Sequence, residues 1–250
     1  MTPDNIQFRT GVIKGSECVK EAWALIKDQY WLFLGIVFVG VFIGGAIPIV
    51  LLGPMMVGIY LCFFRRMRGE PVEFGDLFKG FDYFGQSLIA ALIQMIPMVI
   101  VMVPMYVIMF VLMMSSMPRG SGRMDPDAAS TFFVTFLGFY FVFLVVIMTV
   151  AIVVTIFFLF AFPLIADRNL SGVDAVKLSI KAAKANFGGI LGLILINVGL
   201  GIVGVLCCYV GAFLVAPVTL GSYAIAYRRV FPEGLQNFAS PPPPPGNWAA

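Results

Sequence analysis

Catalysis and metal binding need nucleophiles, acids, bases or soft ligands at workable spacings, and this chain offers few. It has no histidine, and its four cysteines, Cys18, Cys62, Cys207 and Cys208, form no C-x2-C pair. Zinc sites of the His/Cys type and histidine-dependent catalysis are therefore excluded. Cys207 and Cys208 read as small buried residues near a helix end. The carboxylates Glu70, Glu73, Asp76, Asp82 and Asp167 stand at the edges of apolar runs, where solvated charges are expected. Inside those runs the polar residues are Gln94, Thr149, Thr155, Asn197, Thr219 and the tyrosines Tyr60 and Tyr223. Pro54 and Pro217 free the carbonyls of Val50 and Phe213, four residues upstream. Pro54, Tyr60, Gln94, Asn197, Pro217 and Tyr223 are thus the candidate ligand-binding or packing residues. Hydrogen bonds between helices and packing kinks are the favoured reading of them. The absence of ionisable residues within the runs speaks against an ion-driven carrier.

One further pattern could do chemistry. Met95, Met98, Met102, Met105 and Met109 follow 3-4-3-4 spacing, and Met113, Met114 and Met117 extend the row. A thioether ladder can hold Cu(I), but a pliable apolar face is the commoner use. The row is expected to meet Phe141, Leu144, Met148 and Thr155, or else lipid. No metal, no cofactor and no enzymatic activity is expected.

The elements that must position these residues follow from composition. Of 250 residues, 60% are hydrophobic and 12% charged, about half the charged fraction of a soluble domain. The mean hydropathy is +0.99. The chain is expected to be an all-α integral membrane protein. Four charge-free runs, Tyr30–Phe64, Tyr83–Pro118, Thr131–Ala166 and Phe187–Tyr227, exceed the roughly 20 residues that one spanning helix needs. Turn signals at Gly44–Pro48 and Cys207–Gly211 split the first and last. Six spans result, near 31–47, 49–67, 86–114, 132–162, 188–207 and 212–230. This arrangement puts 14 of the 16 basic residues on one side and leaves Arg119 and Arg123 on the other. By the positive-inside rule both termini are then cytoplasmic, in a bacterial inner membrane. A seventh span would move six basic residues outside. The first 23 residues lack a cleavable signal's short apolar core, so the first span is expected to direct insertion. The net charge of +3 sits between apolar runs, so nucleic acid is not an expected partner.

The chain also resembles itself. Pro54, Gly58, Tyr60, Arg65 and Arg66 recur 163 residues later as Pro217, Gly221, Tyr223, Arg228 and Arg229. Upstream, Val19, Lys20, Lys27, Leu34 and Gly35 recur 157 residues later as Val176, Lys177, Lys184, Leu191 and Gly192. The expected organisation is one membrane domain over 1–232 made of two parallel repeats, 15–69 and 170–232, around an inserted hairpin, 70–166. Parallel repeats are related by a twofold along the membrane normal. GxxxG spacings at Gly40–Gly44 and Gly188–Gly192 predict close helix approach. Residues 233–250, with Pro241–Pro245, read as a disordered cytoplasmic tail. Three segments are amphipathic at helical spacing: 19–26, 74–84 and 173–187. With them go the basic residues expected at the membrane surface: Lys20, Lys27, Arg65, Arg66, Lys177, Lys181, Lys184, Arg228 and Arg229. Anionic lipid is the expected partner of this face, with a membrane protein as a further possible partner.

The strings Gly53-Pro54-Met55-Met56-Val57-Gly58, Arg68-Gly69-Glu70-Pro71 and Asp76-Leu77-Phe78-Lys79-Gly80-Phe81 carry a resemblance, as do Asp167-Arg168, Ser171–Ala175 and Ala226–Phe231. Over roughly 15–232 the chain resembles an uncharacterised bacterial multi-pass family similar to the membrane domain found with some glycerophosphodiester phosphodiesterases. The resemblance implies six helices in an inner membrane. It implies no activity, and the phosphodiesterase catalytic domain is absent from these 250 residues. The expected role is structural, in assembly, or regulatory within the bacterial envelope. The alternative is a passive transporter or channel for an apolar or lipid-like solute at the repeat interface.

Overall fold

The computed structural model describes residues 6–115, 126–206 and 210–232. Among these the protein is all-α, with six helical stretches long and apolar enough to cross a membrane. In chain order the helices are α1 (Gly15–Ile26), α2 (Tyr30–Ala46), α3 (Pro48–Met67), a 3-10 helix (Phe74–Tyr83), α4 (Phe84–Ser115), α5 (Pro126–Phe158), α6 (Ala161–Arg168), α7 (Gly172–Ala185), α8 (Phe187–Leu206) and α9 (Val210–Val230). The expected outer loop, its Arg119 and Arg123, the Cys207-Cys208-Tyr209 turn and the Pro-rich tail lie outside the described residues.

Two compact units divide the chain: Leu92–Thr155, and the residues before and after it. In the larger unit, α2 and α3 form a hairpin whose turn is Ile47, with Pro48 opening α3. Proline suits that first position because its missing N–H would have no partner there. Gly40 and Gly44 bring the two helices together as their spacing predicts. A methyl group at Gly40 would come 2.8 Å from the Ile59 side chain, and one at Gly44 3.3 Å from the Leu52 backbone. The other GxxxG expectation fails, for nothing lies within 4 Å of a methyl group built at Gly188 or Gly192. The α8–α9 approach falls instead at Gly204, beside the Ala212 backbone.

The amphipathic segments are placed differently from one another. α1 lies along α9 and α8, whereas α7 lies against α6 and α8. The 3-10 helix lies along α3. Ten residues is long for this geometry, and its start is held by a capping box between Glu73 and Asp76. The expected fourth span ends earlier than its charge-free run. α5 stops at Phe158, because a helix continued to Pro163 would clash with the carbonyl of Leu159. Ser179 of α7 repairs the break: its hydroxyl accepts from Phe160 N (3.2 Å) and donates to Phe157 O (2.7 Å).

Within Leu92–Thr155, the five spaced methionines of α4 are half-buried, while Ile96, Ile100, Val103 and Val107 beside them are exposed. The methionine row is therefore the covered face. It does not meet the expected residues, since Phe141, Leu144 and Met148 are exposed. The more covered face of α5 carries Phe143, Val146, Ile147 and Val150, on the opposite side of the helix. Tyr106 and Phe143 make the ring contact, with centroids 5.7 Å apart.

Candidate functional site

The two Arg-Arg pairs form the centre of an ionic collar. Arg65 at the end of α3 binds Asp76 of the 3-10 helix and lies 3.4 Å from Glu70. Lys79 reaches the same Asp76 carboxylate at 2.7 Å, and the Glu73 amide donates to it at 2.9 Å. Arg68 donates to Glu70 at 2.6 Å, and that bond holds the Glu70 carboxyl below its ordinary range. Close backbone contact makes this docking possible: a methyl group at Gly58 would stand 1.9 Å from the Leu77 carbonyl, and one at Gly80 2.0 Å from that of Pro54.

Arg66 and Arg229 hold the two ends of α1. Arg66 Nε donates to Leu25 O at 3.0 Å, with Asp28 3.5 Å away. Arg229 binds Glu17 at 2.9 Å and Glu21 at 2.6 Å, two acids one helical turn apart. Arg228 turns to Asp167 of α6 at 2.9 Å. That carboxylate also accepts from Arg168 Nε (2.9 Å) and from the Tyr227 phenol (2.7 Å). The side chains of Asp167, Arg168 and Arg228 are 11%, 8% and 13% exposed, so the cluster is nearly dry. The Arg228 guanidinium lies 4.4 Å above the Phe64 ring, and Phe64, Tyr227 and Phe231 stack in series at 5.3 and 5.2 Å. Such aromatic pairs contribute about 1 kcal/mol each beyond their buried area.

The lysines behave otherwise. Lys20, Lys27, Lys177, Lys181 and Lys184 are exposed and, among the described residues, make no ion pair. Arginine's planar fork suits fixed carboxylate contacts, and lysine's flexible ammonium suits a wet surface. Phe74, Phe78, Phe81 and Phe84 are also exposed, in one row beside these charges.

Of the candidate residues within the spans, several converge between α3, α8 and α9. Asn197 Nδ2 donates to Ser222 Oγ at 3.0 Å, and Ser222 donates to Thr219 O at 2.7 Å. The Tyr223 hydroxyl lies beside the Asn197 amide, and Tyr60 faces Tyr223. Asn197 is 5% exposed, yet its Oδ1 accepts no hydrogen bond. Pro217 is buried two residues before Thr219 on α9; Pro54 is buried on α3, under Gly80. Gln94 belongs to the Leu92–Thr155 unit, and its Oε1 is likewise unpaired. Sequence reasoning missed Ser222, Asp167 and Arg168 as site residues. Glu17 and Glu21, four apart on one face, were the available signal for a cationic partner.

No family model matches the chain, and no solved structure matches it. It is 32% identical over 87 residues to Uncharacterized protein Rv2560 of Mycobacterium tuberculosis and to Uncharacterized protein Mb2590 of Mycobacterium bovis. The match covers 35% of this chain and only 27% of each relative.

Proposed function

We propose that the protein is a non-catalytic scaffolding or assembly component of a bacterial inner membrane, with both ends cytoplasmic and anionic lipid at that face. The observation that carries this reading is the filled interface between α3 and α9. Met55, Ile59, Tyr60, Phe63 and Phe64 meet Tyr227 and its neighbours with almost no exposure, which suits a rigid support better than a transport path. The lipid partner is supported by the division of labour among cations: arginines fixed on carboxylates, five lysines left exposed. The resemblance of the chain to a family of inner-membrane domains fits the same role. A duplication confined to the hairpins α2–α3 and α8–α9 also fits. α2 and α8 begin 157 residues apart, and α3 and α9 end 163 apart, the two sequence offsets. The different seats of α1 and α7 set the limit of that symmetry.

A passive carrier for a lipid-like solute is the second reading, favoured by the unpaired Asn197 Oδ1 beside two tyrosines. Mild-detergent purification from the native host, with lipid and protein mass spectrometry, tests the first. A membrane protein recovered in fixed ratio, with anionic lipid enriched over the bulk membrane, is the expected result. Faster flux of a fluorescent lipid in proteoliposomes than in empty vesicles would replace it with the carrier.

A further inference from the structure

The cavity between α2 and α9 is walled by Val37, Phe38, Val41 and Phe42 on one side and by Phe213 and Ala216 on the other. It encloses about 310 Å³. Its walls are set rather than loose: Phe38 stacks with Phe42 at 6.2 Å and meets Phe213 edge-on at 5.9 Å. The Tyr30 hydroxyl donates to Leu214 O at 2.6 Å and fixes α9 against the start of α2. One end of this slot has a definite chemistry. Trp31, Phe38 and Phe42 stand at i, i+7 and i+11, on one side of α2. Trp31 is 77% exposed and joins Tyr30 and Trp23 in a chain of edge contacts, each 5.6 Å between centroids. Lys27, exposed and unpaired, sits in the turn before α2. Its neighbour Asp28 pairs with Arg66, which places that turn at the basic end of α3.

We propose that this is a site for one anionic phospholipid, with an acyl chain in the slot, the glycerol region against Trp31 and Trp23, and the phosphate at Lys27. The order along α2 is that of the lipid itself: cation, aromatic belt, then apolar slot, with the slot about 9–17 Å from Trp31 at 1.5 Å per residue. A neutral lipid would satisfy the slot and leave Lys27 without its counter-charge. The proposal rests on the reading that the basic face meets anionic lipid, and it narrows that reading to one bound molecule.

The test uses the full chain in mild detergent, with dioleoyl phosphatidylglycerol and dioleoyl phosphatidylcholine as probes and native mass spectrometry as readout. One phosphatidylglycerol per chain should survive stripping, favoured over phosphatidylcholine by about fivefold, the weight of one lysine beside anionic lipid. Lys27→Gln should bring phosphatidylglycerol down to the phosphatidylcholine level. Val41→Trp, which fills the slot, should remove both adducts. Phe42→Ala, at a 71% exposed position that the fold does not depend on, should weaken both. Equal retention of the two lipids by the wild type, or an adduct unchanged by Val41→Trp and Phe42→Ala, would overturn the proposal. Replacing Lys177, Lys181 and Lys184 together by Gln separates it from the broader reading. That variant should lose affinity for phosphatidylglycerol vesicles and keep the single adduct. Weakened vesicle binding with no single adduct in any variant leaves the surface reading standing and removes the site. A single adduct without any vesicle preference does the reverse.

Discussion

Asp167 is the residue on which the collar depends. Its carboxylate takes three donors in a nearly dry setting, and its loss would strand Arg168 and Arg228 with reduced counter-charge. Asp167→Asn should therefore destabilise the protein by about 3 kcal/mol, the scale of a broken buried pair, read as a lower melting temperature in detergent. Glu70→Gln, at an exposed carboxylate, should leave that temperature unchanged. Two glycines make an equally sharp contrast. Gly58→Ala drives a methyl group into the Leu77 carbonyl and should prevent the 3-10 helix from docking, measured as protease cleavage between Arg68 and Phe84. Gly192→Ala meets open space and should be neutral or stabilising by up to about 1 kcal/mol, the helix preference of Ala over Gly. Charge placement was legible in sequence because Arg and Lys stop apolar runs. Which cation faces a carboxylate was not legible, since Glu17 and Arg229 stand 212 residues apart.

At the scale of elements, the spans were legible for a simple reason: charge-free runs of 35 residues or more have few solutions in a bilayer. The break between α5 and α6 was not, because it depends on Ser179 arriving from another helix to satisfy Phe157 and Phe160. Ser179→Ala leaves both backbone groups buried without that partner and should cost about 1–3 kcal/mol. Hydrogen exchange at Phe160 should rise with it, while exchange in α8 stays as it was. The methionine row was legible as a face, but its partner was not: spacing fixes which side of a helix is shared and says nothing of which side of the neighbour meets it. The GxxxG pairs teach the same lesson, as Gly40–Gly44 packs and Gly188–Gly192 does not.

For the whole molecule, the paired offsets and the charge asymmetry predict a fixed topology. Single cysteines at Ser121 and Ser240, both outside the described residues, should label from opposite membrane faces with an impermeant maleimide when the native cysteines are replaced. Labelling from one face would end the six-span arrangement. The seat of α1 carries a consequence for how the protein is made. This helix leaves the ribosome first among the elements, yet Glu17 and Glu21 are held only by Arg229, at the end of the last span. Until α9 is threaded into the membrane, an amphipathic segment with two unneutralised acids waits at the surface, open to quality-control proteases. The Arg229 clamp thus acts as a completion check, and chains halted before α9 should be degraded faster than finished ones in a pulse-chase experiment.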